Sequence, residues 1–256
     1  MTIPIEYQHA RKSEWQVRVE LAALYRLVAH FRMTDLIYTH ISARVPGPEE
    51  HFLINPYGSL FSEITAGSLV KVDLAGEVIE TEGLGNRWIN PAGFTIHSAL
   101  HKARPDLTCI VHTHTAAGIA VSAQKQGLLP ISQHALKFYG RLSYHQYEGI
   151  ALDHSERERL AADLGATNKA MVLINHGLLV GGRTIPEAFD QIYFLERACQ
   201  AQLAAQSGGA ELHVPSDAVC SHVAKQYREE EYAPWIEPAW AAVLREISAQ
   251  RESYER

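Results

Sequence analysis

Residues 107–118 read Leu-Thr-Cys-Ile-Val-His-Thr-His-Thr-Ala-Ala-Gly, and they carry the strongest structural signal in the chain. Residues 107–111 are a short apolar run, which is typical of a buried strand. His112 and His114 follow at once. Because strand side chains alternate between faces, these two imidazoles should project from the same face. Small residues and Gly118 come next, as expected where a chain leaves a sheet edge and enters a helix.

Two histidines on one face of a strand are open to two interpretations. They can share one metal ion, since each ligand nitrogen needs to approach the ion to about 2 Å. Alternatively, one is a surface residue and the other a hydrogen-bonded core residue. A related arrangement recurs at residues 171–174, an apolar run that predicts a buried strand ending in Asn175-His176-Gly177. We expect that strand to continue over residues 178–180, beyond a break at Gly177.

Composition limits the class of protein. The chain has 256 residues, of which 46% are hydrophobic and 9% aromatic, as in soluble globular proteins. Its net charge of −6 and dispersed basic residues argue against a nucleic-acid or polybasic membrane partner. No apolar run reaches the roughly 20 residues of a membrane span. Cys109, Cys199 and Cys220 show no paired spacing, so we expect a reducing, cytoplasmic location.

The pattern of elements predicts a mixed α/β protein. A capping box, Ser13-Glu-Trp-Gln16, opens an amphipathic helix of about 20 residues. Short strands without intervening helices follow, which favours antiparallel pairing; they are predicted at residues 38–45, 51–55, 69–74 and 77–80. The second half alternates helices and strands, with helices at 95–103, 116–124, 155–165 and 184–206 and strands at 141–144 and 171–174. We expect a single domain over 1–256, with its core at about 15–206 and a helical extension at 207–256.

His97 and His101 are four residues apart on the helix predicted at 95–103, so they share one helical face. They are a possible metal pair. The favoured alternative is that they satisfy local polar groups, because the segment lacks the glutamate of a His-Glu-x-x-His site.

Several motifs together resemble the class II aldolase/adducin family in their order and spacing. They are Leu53-Ile-Asn-Pro-Tyr-Gly58, Ser68-Leu-Val-Lys-Val-Asp-Leu74, Arg104-Pro-Asp106, His112-Thr-His114, Asn175-His-Gly177 and Glu187-Ala188. Residues 52–74 and 90–101 look closer to the adducin head domain and its bacterial relatives than to sugar-phosphate aldolases. The resemblance implies a three-layer α/β/α fold around a central, largely antiparallel sheet.

The resemblance also implies a metal site. Aldolase members of the family bind a divalent metal, usually zinc, through three histidines that fall on His112, His114 and His176 here. Three imidazoles leave an open position at a tetrahedral ion, which can act as a Lewis acid when a C–C bond breaks. The same ligands would suit Fe²⁺ or Mn²⁺. Aldolase members are fourfold rings whose sites borrow residues from a neighbouring subunit, so the resemblance implies a homotetramer.

The chain departs from the sugar-phosphate aldolases at positions that carry their chemistry. Gly93 stands where the aldolases have their proton-transferring glutamate. At the phosphate-binding positions, Asn-x-Ser becomes His40-Ile41-Ser42 and Ser-Gly becomes Tyr57-Gly58. We therefore take Ser42, Gly58 and Gly93 as the substrate-binding positions and expect a substrate without a phosphate.

No spacing in the sequence favours one replacement for the missing proton-transfer group. Tyr144, Tyr147 and His134 are the candidate catalytic residues, with Glu148 or metal-bound water as further possibilities. The surrounding segment, 132–149, is rich in Tyr and His, and such residues are favoured at subunit interfaces. Trp235 and Trp240 belong either to an interface or to packing within their own domain.

Three functions are compatible with these residues. The first is a metal-dependent lyase that cleaves a C–C bond, by retro-aldol reaction or decarboxylation, in an unphosphorylated hydroxy-carbonyl or hydroxy-acid substrate. The second is a non-catalytic, adducin-like interaction protein, since a fold can outlast its chemistry. The third is an Fe²⁺-dependent oxygenase on the same scaffold. The complete histidine set favours the lyase.

Overall fold

The computed structural model of the protein describes residues 12–79, 88–150 and 155–256. Within these residues seven strands form one sheet in the order β3-β2-β1-β4-β7-β6-β5. The strands are β1 His40–Arg44, β2 Phe52–Ile54, β3 Val70–Val72, β4 Cys109–Thr113, β5 Leu142–His145, β6 Ala170–Leu173 and β7 Gly177–Gly182. Neighbours are antiparallel except β5 and β6, which run parallel. The predicted, largely antiparallel sheet is confirmed.

The described α-helices, in chain order, are α1 Glu14–His30, α2 Pro91–Ala103, α3 Ala116–Ser122, α4 Gln133–Leu136, α5 Glu156–Leu164, α6 Ile185–Gln206, α7 Asp217–Gln226, α8 Glu229–Glu246 and α9 Arg251–Tyr254. Short 3-10 helices lie at Phe61–Glu63 and Ser248–Gln250. None of these helices combines the length and apolar character that crossing a bilayer requires.

Helices cover both faces of the sheet, as the three-layer prediction requires. On one face α1, α6 and α8 bury a cluster that includes Leu21, Val111 and Ile192. On the other face α2 and α5 bury a smaller cluster around Ile110 and Met171. Adjacent residues of β4 thus belong to opposite cores, because strand side chains alternate between faces. Burial on both faces makes β4 the centre of the fold.

Local signals set several elements as predicted. The Ser13 side chain accepts a hydrogen bond from the Gln16 N–H, and the Gln16 side chain accepts one from the Ser13 N–H, so the capping box is present. The hairpin after β3 closes through a Val72–Val78 bridge, although residue 80 lies outside the described residues. Its turn is fixed by Asp73, whose carboxylate accepts the N–H groups of residues 75 and 77.

Two elements differ from expectation. The helix predicted from residue 95 begins at Pro91, because the Asn90 side chain caps it and proline suits the first helical position. Gly93 therefore lies in a helical turn. The strand expected to continue beyond a break at Gly177 is instead part of a hairpin: β6 ends, the chain reverses, and β7 returns with Leu173 paired to Gly177. Asn175 makes the reversal with a positive φ of 55°, which asparagine tolerates.

The C-terminal segment packs onto the rest of the chain. Trp240, Ile247 and Tyr254 are buried in the same cluster as α1 and α6. The backbone of Ala66 donates a hydrogen bond to the Tyr254 carbonyl. Trp235, in contrast, remains 68% exposed. Division of the chain into a core at 15–206 and an extension at 207–256 stays a prediction.

Candidate metal centre

The histidine triad is assembled at one edge of the sheet by β4 and the β6–β7 hairpin. His112 lies near the end of β4, paired with Leu179 of β7 on one side and with His40 of β1 on the other. A Cβ at position 177 would lie 2.4 Å from the Thr113 carbonyl oxygen, so only glycine lets β7 start this close to β4. His176 precedes that glycine and is thereby held beside β4.

The three imidazoles converge, as the sequence predicted. His114 Nε2 lies 2.8 Å from His112 Nε2 and 2.9 Å from His176 Nε2. One nitrogen from each ring falls in a group whose members are all within 4.8 Å of one another. This is the only such group of three potential ligands among the described residues. Coordination of an ion by the three rings stays a prediction.

The groups next to the Nδ1 atoms indicate that the Nε2 atoms suit a cation. The Nδ1–H of His112 donates to the Leu178 carbonyl oxygen at 2.9 Å, and in the neutral ring this leaves Nε2 with a lone pair. Nδ1 of His114 faces the Asp35 carboxylate at 3.1 Å, and the neutral tautomer that donates to this carboxylate also has its lone pair on Nε2. In these tautomers the two Nε2 atoms, 2.8 Å apart, cannot hydrogen-bond to each other. A metal ion between them satisfies both, and the partners on the Nδ1 sides are those that metal-binding histidines ordinarily have.

Two members of the triad, His112 and His176, are neutral at physiological pH. Burial lowers the pKa of His112 well below its ordinary value, and the neighbouring His176, His40 and His114 add to the effect. Burial, with His114, lowers the pKa of His176 to about 4. Neutral imidazole is the form that binds metal. His112 and His176 would therefore be ready to bind a metal at physiological pH.

A second group of histidines lies next to the triad. His40 Nδ1 is 2.8 Å from His97 Nε2. The Ser42 hydroxyl forms hydrogen bonds to two further nitrogens, His97 Nδ1 and His101 Nε2, the second at 2.8 Å. The structure thus joins His97 and His101 through Ser42. All four side chains are buried. The ring centroids of His40 and His112 are 5.0 Å apart, so this buried chain reaches the triad.

The predicted substrate-binding positions have different surroundings. The Ser42 hydroxyl is fully buried and bonded to two histidines. Gly58 occupies the turn after β2 with a φ of 96°. Gly93 packs against the ring of His40. Their roles toward a substrate stay predictions.

Of the candidate catalytic residues, Tyr147 lies beside the triad. Its side chain is 52% exposed, and its ring centroid is 6.3 Å from that of His176. Glu148 lines the same cleft but pairs with Arg159.

Tyr144 and His134 are not brought to the triad within one chain. Tyr144 pairs with Val172, whose side chain belongs to the larger core, on the face of the sheet covered by α1, α6 and α8. The Tyr144 hydroxyl accepts a hydrogen bond from the Leu128 N–H. The ring of His134 packs on Phe194 of α6 at 4.9 Å. A role for either residue would have to be at the triad of a neighbouring subunit, which stays a prediction.

The sequence analysis did not identify Asp35 as a site residue, and it considered His40 only at a position where aldolases bind phosphate. Asp35 precedes β1 and is far from His114 in sequence, so no periodic signal links the two. His40 did carry a signal: it lies two residues before Ser42 in a predicted strand, which places both side chains on one face.

The sequence profile of the family described as "Class II Aldolase and Adducin N-terminal domain" matches residues 19–203. The chain belongs to this family. An aldolase II superfamily protein from Pseudomonas syringae has a similar structure, with a TM-score of 0.88, 55% identity, and coverage of 95% of this chain and 96% of that one. Class II aldolases are generally dependent on a divalent metal, and aldolase-family folds bind small molecules and often form oligomers.

Two further relatives represent the two branches of the family. Alpha-adducin from Rattus norvegicus is 50% identical over 77% of this chain, but that region is 27% of the adducin. An L-fuculose 1-phosphate aldolase from Glaciozyma antarctica PI12 is 28% identical, with a TM-score of 0.82 and coverage of 100% of this chain and 96% of that one. The chain is thus similar in structure to an L-fuculose 1-phosphate aldolase and in sequence to part of an adducin.

Proposed function

We propose that this protein is a divalent-metal-dependent lyase that cleaves a C–C bond, by retro-aldol reaction or decarboxylation, in an unphosphorylated hydroxy-carbonyl or hydroxy-acid substrate. The observation that supports it is the convergence of the His112, His114 and His176 imidazoles, with Nε2 of His114 2.8 Å from Nε2 of His112 and 2.9 Å from Nε2 of His176. These residues would hold the ion, with zinc first and Fe²⁺ or Mn²⁺ as alternatives. When bound, the metal would supply Lewis-acid stabilisation of the negative charge that develops on the substrate oxygens.

The protein's own groups would orient the site. The Leu178 carbonyl and Asp35 fix two of the imidazoles through their Nδ1 atoms. Tyr147 is the candidate proton donor that lies beside the triad in the same chain. Its exposed position would let its hydroxyl reach a substrate that enters from the sheet edge.

The absence of a phosphate from the substrate is inferred from the residues at the aldolase phosphate positions. His40 replaces an asparagine there, and the Ser42 hydroxyl is already bonded to His97 and His101. A buried hydroxyl with two protein partners contributes little to an anion. The likeness to a fuculose 1-phosphate aldolase therefore supports the reaction class more than the substrate.

Metal analysis tests the proposal directly. The purified protein should contain about one divalent ion per chain, and His112→Ala should lose it, because two remaining imidazoles bind far more weakly. The exposed histidine of α7 offers a matched control, and His222→Ala should retain the metal. A wild-type protein that binds no zinc, iron or manganese at micromolar concentration would contradict the proposal.

A second prediction concerns sugar phosphates. Cleavage of L-fuculose 1-phosphate or ribulose phosphates should be slow, since Gly93 cannot transfer a proton and such groups supply about 10²–10⁴-fold in rate. A coupled assay for the released aldehyde or ketone phosphate measures this. Robust turnover would show that another residue has taken the role and that the phosphate is accepted.

Two alternative functions have observations in their favour. The 50% identity with alpha-adducin supports a non-catalytic interaction protein. That function predicts a triad whose loss leaves partner binding intact. Three nitrogen ligands also suit Fe²⁺, which supports an oxygenase. Oxygen consumption by the iron-loaded protein distinguishes the oxygenase from the lyase.

We further propose that the protein is a cytoplasmic homotetramer. The buried, unpaired state of Cys109, Cys199 and Cys220 supports a reducing compartment. Resemblance to the aldolase members of the family supports the homotetramer.

A further inference from the structure

Two departures from the sugar-phosphate aldolases, His40 and Gly93, meet in space. A Cβ at position 93 would lie 2.5 Å from His40 Cδ2, 2.8 Å from Cγ and 2.9 Å from Nε2. A side chain at position 93, glutamate included, therefore cannot coexist with the imidazole as it stands. Gly93 lies in the first turn of α2, a regular helix in which its backbone does not require a glycine. The glycine is explained by the ring beside it.

The same ring is directed at the triad by its place in the sheet. His40 and His112 are opposite residues of the antiparallel pair β1–β4, and their ring centroids are 5.0 Å apart. The Nδ1 edge of His40 is bonded to His97. Its Nε2 makes no hydrogen bond to any residue within 12–79, 88–150 or 155–256. This Nε2 lies 2.9 Å from the Cβ position at residue 93, next to Cδ2, which is the ring atom closest to that position.

We propose that His40 takes the place of the aldolase glutamate as the protein group that contacts the substrate beside the triad, and that Gly93 makes room for it. This inference rests on the proposed lyase function. An imidazole offers one hydrogen bond from Nε2 to a hydroxyl or carbonyl oxygen of a hydroxy-carbonyl substrate, with no change of charge. The buried chain of His97, Ser42 and His101 fixes the ring, and such support preorganises a contact.

A double-mutant cycle, measured by thermal unfolding of the metal-free protein, tests whether the side chains at positions 40 and 93 compete for the same space. Gly93→Ala should lower Tm by about 5 °C in the wild-type background, because overpacking a filled site is destabilising. In a His40→Asn background the same change should leave Tm within about 2 °C of its parent, since the space is then open. Gly208→Ala is the matched control, because nothing lies within 4 Å of its Cβ position. Equal effects in the two backgrounds would overturn the shared-space claim.

Binding of glycolohydroxamate to the zinc-loaded protein tests the substrate contact. This small molecule can offer a metal two oxygens and resembles a hydroxy-carbonyl substrate without phosphate. His40→Asn should weaken its binding about tenfold or more, as expected for loss of a hydrogen bond to a charged oxygen, while zinc affinity changes less than twofold. His222→Asn should change neither quantity. Unchanged hydroxamate affinity in His40→Asn would overturn the contact.

A positioning variant covers the case in which His40→Asn fails to fold. His97→Gln keeps the His40 ring and removes its fixed partner, so it should weaken hydroxamate binding by a smaller factor, about threefold. Unchanged binding in His97→Gln would contradict the positioning role. Wild-type protein that binds zinc but no hydroxamate would overturn the substrate contact alone. Protein that binds no metal would overturn both the proposed lyase function and the proposed contact between His40 and the substrate. The unfolding temperatures would still decide whether the side chains at positions 40 and 93 compete for the same space.

Discussion

At the scale of the residue, the triad depends on which imidazole nitrogen carries the proton. A histidine that binds a metal through one nitrogen almost always donates the proton of the other nitrogen to a partner, which fixes the orientation of the ring. His112 has a backbone carbonyl for this purpose, and His114 has Asp35. The first partner comes with the β4–β7 pairing. The second comes from a loop, so it is the contact that substitution can remove without disturbing the sheet.

Asp35→Ala should weaken zinc binding by about tenfold. Loss of an outer partner of a metal-binding histidine typically costs 10–100-fold, and the partial exposure of Asp35 argues for the lower end. Competition with a chelating dye measures the affinity, and Glu211→Ala, an exposed carboxylate elsewhere, should leave it unchanged. Zinc affinity equal to wild type in Asp35→Ala would show that His114 needs no such partner.

At the scale of the element, the β6–β7 hairpin brings the third histidine to the site. Asn175 turns the chain, and its N–H also donates to the Ser122 carbonyl at the end of α3. α3 begins directly after His114, with Thr115 as its N-cap. The two histidine segments are therefore tied together behind the site as well as at it. Gly177 completes the arrangement, because its missing side chain sets the distance between β7 and β4.

Gly177→Ala should destabilise the protein by about 2 kcal/mol and weaken zinc binding. The added Cβ would press on the backbone of Thr113, which cannot move without disturbing β4, and overpacking of this kind costs about 1–3 kcal/mol. Urea denaturation and dye competition measure the two effects. Gly208→Ala, in open space, should stay within about 0.5 kcal/mol of wild type. Destabilisation without loss of zinc affinity would separate the hairpin from the metal site.

At the scale of the whole molecule, the exposed side chains around the triad bear on the proposed assembly. Leu36, Tyr38 and Tyr147 are large side chains that stay exposed near the sheet edge where His114 and His176 lie. Tyr144 and His134 lie away from the triad of their own chain. A neighbouring subunit would bury the first group and could use the second. The interior packing of Trp240 shows that the C-terminal segment follows the own-domain alternative in part, while Trp235 remains available for an interface.

The protein should be a homotetramer of about 114 kDa, four chains of 28.5 kDa each. Light scattering at micromolar concentration measures the mass, and serial dilution shows whether the assembly persists. A stable monomer would rule out the ring and, with it, any contribution of Tyr144 or His134 to a neighbour's site. A dimer would leave room for exchange of residues but would contradict the fourfold arrangement.

Much of the fold follows from the sequence because its signals are local. Capping at Ser13, the strand at β4 and the hairpin turn at Asp73 are each set by residues within a few positions of one another. One of the two elements that were missed required knowledge of distant partners. The reversal at Asn175 reads as a strand break until β7 is seen to pair with both β6 and β4. The early start of α2 was missed although Asn90 and Pro91 are a local start signal.

The sequence by itself determined the mixed, mostly antiparallel fold, the family, and the identity of the three converging histidines. The fold class rests on the periodicity of apolar residues and on the family resemblance. The family and the three histidines rest on motifs that resemble the family, and such motifs can be recognised without the structure. Only the tertiary structure decided that the Leu178 carbonyl lies next to Nδ1 of His112, that Asp35 lies next to Nδ1 of His114, and that the ring of His40 fills the space beside Gly93. Those facts depend on atoms a few ångströms apart whose residues are separated by tens of positions, and no local pattern records such distances.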